Sequence, residues 1–382
     1  MNAKNSIDEV SNDKMNFRII NLGDNIDLPQ IRETGYRDWV EFGLDNQFPQ
    51  FLIDVFHTKS ITHKTIINRK VKMVAGEGWE KPIDDAGLSL WKNIYCDDDL
   101  DEILYKIAFD LELNAGFCLG VRWSNDGTKI AEIYHIPFEN VRVDKGNDNK
   151  NGLPNYYWIS DDWSNVRKEK PKKYQGFSRK YLENKNQILY VKEYQPGSKM
   201  IYPIPSYFSS INWVLAEWEI SNFHRATIQN GFNAGFLLNF SSGIPSPDEM
   251  ERAYKEIKNK YTGTFNAGRF ILTFSNGKDQ EPRLTPIPLA DTDSRYSELN
   301  DLIRQNIFTA NEVTSPELFG VSTPGKLGGK NEMLEGLEIF QSVYVNYKQG
   351  FIEKVINKLG AINGAEPLNI KKYEIDIKKI EG

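Results

Sequence analysis

Between Met333 and Leu359 the apolar positions recur at helical spacing. Met333, Leu337, Phe340, Tyr344, Tyr347, Phe351 and Val355 form one line, flanked by Leu334, Ile352, Ile356 and Leu359. That period predicts a long amphipathic helix beginning at Asn331. Asn331 can cap it, Glu332 and Glu335 suit the positive end of its dipole, and Gly360 stands where a helix C-terminus takes a glycine. Two more long helices are read upstream. One covers 207–232, with Ile211, Val214, Leu215 and Trp218 on one face, and the other covers 291–309, with Tyr296, Leu299, Ile303 and Ile307 aligned. Between them lies a small mixed module: a strand at 236–240, a helix at 247–260 capped by Ser246, a strand at 269–274 and a proline-punctuated stretch at 282–288.

The first half of the chain alternates helix and strand differently. Helices are predicted at 48–56 and at 61–74, the second ended by Gly76 and Gly78, and a third follows the acidic run 97–102, whose carboxylates suit a helix N-terminus better than a metal. Period-two runs predict strands at 116–123, 130–135, 141–144, 156–159 and 188–194, with Asn125-Asp126-Gly127 as a hairpin turn between the first two. Residues 1–36 are polar with little periodicity and read as an arm outside the fold. Residues 166–185 hold eight basic against two acidic side chains and read as a solvated loop rather than a docking patch. A strand-like run at 368–380 is expected to return to the sheet.

Chemistry is scarce along this pattern. The segment 320–330 carries Gly320, Gly325, Gly328 and Gly329 with Lys326 and Lys330 and no acid, a permissive and positive loop between helices. Gly320 to Lys326 imitates a phosphate-binding loop, but Leu327 stands where Ser or Thr would hold magnesium, a helix precedes it, and Gly328-Gly329 delays the next helix. Residues 147–152 imitate a calcium loop but begin with Asn147 and have Trp158 at the twelfth position, so they read as a turn. His57, His63, His135 and His224 are scattered, and Asp291 and Asp293, two apart, fall on different faces of a helix. No catalytic or metal-binding constellation is legible, and no cofactor is expected. Glu217, Glu219, Asp291, Asp293, Glu298 and Asp301 outnumber the arginines on the two upstream helices. They would repel a polyanion passing beside them, or else form an ordinary acidic surface.

Composition narrows the class. The chain has 382 residues, 40% hydrophobic and 26% charged, enough to bury a sizeable core. A net charge of -6 argues against gripping nucleic acid over a broad surface. Cys96 and Cys118 show no redox or metal spacing, the N-terminus lacks an apolar signal core, and no run approaches the roughly 18 apolar residues of a membrane span. An intracellular, reduced protein without a membrane role is expected.

Several stretches in this order resemble the portal proteins of tailed bacteriophages, the head-tail connectors through which DNA is packaged and ejected. They are Gly43 to Leu52 with Ile66 to Trp79, Leu113 to Gly120 with His135 to Val141, Asn311 to Gly320, and Asn331-Glu332 with the long helix. The resemblance implies an α+β, portal-like elongated subunit: an N-terminal arm (1–36), a mixed α/β wing (37–206), a stem helix (207–232), a small α+β clip (233–290), a second stem helix (291–319), a tunnel loop (320–330), and a long C-terminal helix with a wing strand (331–382). It implies a homo-oligomeric ring, a dodecamer in the family. Double-stranded DNA would pass through the ring, with Thr323, Lys326 and Lys330 touching it, while terminase, a head-tail adaptor and the major capsid protein dock outside. It places the ring at the capsid portal vertex of the virion after assembly in the host cytoplasm. Two readings from other classes remain beside it: an ATP-driven packaging enzyme using the glycine loop, and a monomeric capsid-associated adaptor.

Overall fold

The computed structural model describes residues 29, 31–43, 45–81, 91, 99–145, 155–178, 184–196, 201–229, 236–240, 245–261, 270–275, 292–320 and 330–374. Its first elements are a short hairpin of β1 (Ile31–Glu33) and β2 (Val40–Phe42), then helices α1 (Phe48–Thr58), α2 (Ile61–Ala75) and α3 (Leu100–Asn114). The strand at 31–33 corrects the expectation that the fold begins after residue 36. The Ser60 side chain caps α2 by accepting from the His63 amide, and Asp99 with Glu102 forms a reciprocal capping box on α3, so the acidic run works as a helix start.

Six strands follow: β3 (Gly116–Trp123), β4 (Ile130–Ile136), β5 (Val141–Val143), β6 (Tyr156–Ile159), β7 (Lys172–Gly176) and β8 (Asn186–Lys192). They form one sheet in the order β4-β3-β8-β7-β6-β5, antiparallel except at β7–β8. β3 lies between β4 and β8 and is buried along all its length but Arg122, which explains its nearly continuous apolar run. Gly120 faces Tyr134 across β3–β4, and a Cβ there would meet the tyrosine ring at 2.1 Å, so the glycine is a seat for that ring. β7 corrects the reading of 166–185 as loop throughout: its lysine-rich sequence is held as strand by neighbours on both sides.

The later elements are α4 (Ile211–Gln229), preceded by a 3-10 turn (Ser206–Ser210), then β9 (Phe236–Phe240), α5 (Pro247–Tyr261), β10 (Phe270–Phe274), α6 (Thr292–Ala310), a second 3-10 turn (Pro316–Phe319), α7 (Lys330–Phe340), a π-turn (Gln341–Val345) and α8 (Asn346–Gly360). β9 and β10 pair in parallel around α5, a self-contained module. α4 and α6 pack together, with Val214, Ile303, Ile307 and Phe308 buried. Among the described residues no helix is long and apolar enough to cross a membrane.

Three further expectations need correction. Helix 331–359 is two helices joined by a π-turn. Gly360 remains helical and is no C-terminal cap; a Cβ on it would lie 2.4 Å from the Trp91 ring, so it is there for close approach. The run after 368 forms no strand among the described residues. Instead Ile370 makes a single antiparallel bridge to Trp79, beside Gly76, where a Cβ would meet the Lys371 carbonyl at 1.9 Å.

Candidate functional site at the base of the loop

α6 ends at Asn311, whose side-chain amide donates to the Ile307 carbonyl (2.9 Å), and Glu312 turns the chain through a left-handed φ of 59°. The 3-10 turn then buries Leu318 and Phe319, and Gly320 leaves it at φ 82°. On the far side, α7 brings Phe340 edge-on to Phe319, with ring centroids 5.5 Å apart. Gly336 lets Ser315 approach to 3.0 Å of where its Cβ would stand. Both ends of segment 321–329 are thus fastened to one hydrophobic base. A 3-10 turn, where a phosphate-binding loop would need a strand, precedes the segment.

A buried ionic network lies beneath this base. Lys70 of α2 contacts Glu112 of α3 (3.0 Å), the Tyr344 hydroxyl of the π-turn donates to the same carboxylate oxygen (2.7 Å), and the Lys70 ammonium sits 4.2 Å from the Tyr344 ring centroid. Lys348 of α8 pairs with Glu193 (2.6 Å). Burial pushes the Lys70 ammonium below its ordinary range, opposed by Glu112. Burial also works to raise the Glu112 carboxyl, but Lys70 and Lys348 hold it below the usual value. His63, on the same helix as Lys70, is fully buried, and burial followed by repulsion from Lys70 takes it down to about 3.

A second network joins two stretches read separately in the sequence. Arg142 of β5 is fully buried and donates to the Asn46 side chain (2.7 Å) and carbonyl (2.8 Å), to the Glu139 and Val141 carbonyls (2.9 Å each) and to Gln50 (3.2 Å). Burial lowers its guanidinium to about 10. His135 bonds Asp110 at 2.8 Å, a structural contact between β4 and α3. The sequence reading missed Arg142, Lys70 and Glu112. Their only signal was a charge on an otherwise apolar face.

The expected site residues fall into three groups. Thr323, Lys326 and Asp291 lie outside the described residues, as do Cys96 and the calcium-loop imitation at 147–152. Lys330 is the first residue of α7, one residue earlier than the expected start, and Asp293 lies in the first turn of α6. Glu219, Glu298 and Asp301 are exposed on α4 and α6. Glu217 is half-buried and engaged inside the subunit: it accepts from Thr62 (2.8 Å) and from Ser60, tying α4 to the start of α2. Among the described residues no cluster of His, Cys, Asp or Glu could hold a metal.

No family model matches the sequence, and no curated protein does. Solved structures do match. A chain in the neck of the native gene transfer agent particle, computed with C12 symmetry, aligns over 87% of this chain and 86% of its own, with a TM-score of 0.54 and 16% identity. A chain of the native gene transfer agent virion covers the same shares at TM-score 0.53 and 13% identity. This is a virion-neck fold. A portal protein of the HK97 family of phages, from Corynebacterium diphtheriae, aligns over 81% of this chain and 92% of its own at TM-score 0.47 and 12% identity. The portal-type resemblance read from the sequence is borne out at the level of fold. The virion-neck fold extends over nearly the whole chain, so it includes both the sheet and the helices that flank segment 321–329.

Proposed function

We propose that the chain is a phage portal subunit, a non-enzymatic part of a ring through which double-stranded DNA is packaged and ejected. The observation that carries this reading is the likeness over 87% of the chain to a particle-neck chain solved with C12 symmetry. The local geometry agrees with it. α4 and α6 form the stem, β9, α5 and β10 the clip, and the sheet with α1 to α3 the wing, while segment 321–329 is the tunnel loop sprung from one rigid base. Lys326 and Lys330 with Thr323 touch DNA phosphates, and the exposed acids Glu219, Glu298 and Asp301, with Asp291 and Asp293, keep DNA from sticking to the channel wall. Glu217 holds the stem to the wing instead of lining the channel. The clip meets terminase and the head-tail adaptor, and the wing meets the major capsid protein at the portal vertex. Negative-stain microscopy of the purified chain at high concentration tests the class. Rings with an axial hole are expected; particles of subunit size at every concentration would remove the proposal.

A further inference from the structure

α7, the π-turn and α8 bury one face against the molecule and leave a line of large apolar side chains on the other. Ile339 is 54% exposed, Val343 68% and Tyr347 65%. Single exposed apolar residues are ordinary, but three on successive turns of one helix are a contiguous patch of the kind that marks an interface. The line continues to Gly350, where an added Cβ would meet nothing within 4 Å. The π-turn creates it. Without the extra residue of that turn Tyr347 would fall on the buried face with Tyr344, and its place there is taken by Lys348.

We infer that the Ile339–Val343–Tyr347 stripe is the surface on which a second copy of this chain docks, an inference that rests on the ring reading above. Two observations favour a copy over an unrelated partner. A ring closed by head-to-tail contacts needs two different patches on every subunit. The same chain carries another, on α6, where Leu299 is 38% and Leu302 46% exposed. The charges are also complementary. Glu335 stands one turn ahead of Ile339, is exposed, and has no ion-pair partner among the described residues, whereas α6 has Arg295 one turn ahead of Leu299. The stripe of one copy and the α6 patch of the next therefore offer apolar surface to apolar surface, each headed by the opposite charge.

The test is the mass of the full-length chain in solution, by light scattering across concentration, for wild type, Val343→Glu/Tyr347→Glu and the milder Val343→Ser/Tyr347→Ser. Both positions are exposed, so the subunit's own circular dichroism and melting should be unchanged. The association constant per interface should fall at least about a hundredfold, since two large apolar side chains leave it. Rings that persist in both variants would overturn this assignment and leave the ring reading standing. A wild-type chain that stays single at every concentration would overturn both. If the glutamate variant melts abnormally, the serine variant decides, and full ring formation by it counts against the interface.

Discussion

His63 has no exposed surface, and neither ring nitrogen finds a partner among the described residues; the ring packs 4.5 Å from that of Tyr207. Charging such a ring beside Lys70 is costly, which is why its pKa falls from 6.5 to about 3. The unfolded chain takes up that proton near pH 6.5, the folded chain only near 3. Stability from this group is therefore whole above pH 6.5 and is lost as the pH falls toward 3, at up to about 1.4 kcal/mol per pH unit. Urea midpoints measured from pH 7 to pH 4 should fall more steeply for the wild type than for His63→Phe. Parallel profiles would mean that the ring is not protonated on unfolding in this window.

Helix 330–360 shows at the level of an element what a sequence can disclose. Its apolar line at 340, 344, 347, 351 and 355 has the period of a continuous α-helix, and the long helix, like most of the other helices and strands, follows from such periods. The buried residues are instead Phe340, Tyr344, Lys348, Ile352 and Ile356, the same line moved on by one residue after the π-turn. Nothing in the local pattern announces that shift, because what stabilises it is remote: Glu112 receives Tyr344, and Glu193 receives Lys348. The same reason hid the buried lysines, whose partners lie far along the chain, and β7, whose Lys172 and Lys173 read as solvent until β6 and β8 flank them. The candidate site was legible as a glycine loop between two helices, but not the base that fastens it. The shift is also testable. Removing Ser342, an exposed residue of the π-turn, should let 330–359 run as one α-helix that still buries the original Phe340, Tyr344, Lys348, Ile352 and Ile356. We expect the deletion to lie within about 1 kcal/mol of wild type in thermal or urea unfolding. Deleting Lys354 from α8 instead turns Ile356 and Leu359 off the core and should cost several times more, about 2–5 kcal/mol. Equal losses from the two deletions would show that the π-turn is as fixed as the helix around it.

At the scale of the whole molecule the argument is about where a polyanion can be held. Each copy carries a net charge of -6, and the described acids on the faces of α4 and α6 are exposed. A ring of such subunits repels DNA along its wall, and repulsion screened by salt leaves few places for a lasting contact. Under the portal reading those places are the loops, because Lys326 and Lys330 are cations in a stretch without a single acid. Every phosphate neutralised at once contributes about 0.9 to the slope of log affinity against log salt. Rings of Lys326→Ala/Lys330→Ala should therefore keep their diameter and subunit number, since neither lysine takes part in the buried networks, while duplex DNA bound to them loses salt dependence by about 0.9 for each contact removed. Filter binding or anisotropy over a salt series measures both slopes, and packaged particles carrying the variant should retain DNA less well. Identical slopes for the two proteins would move the DNA contact away from the loop and leave the ring itself untouched.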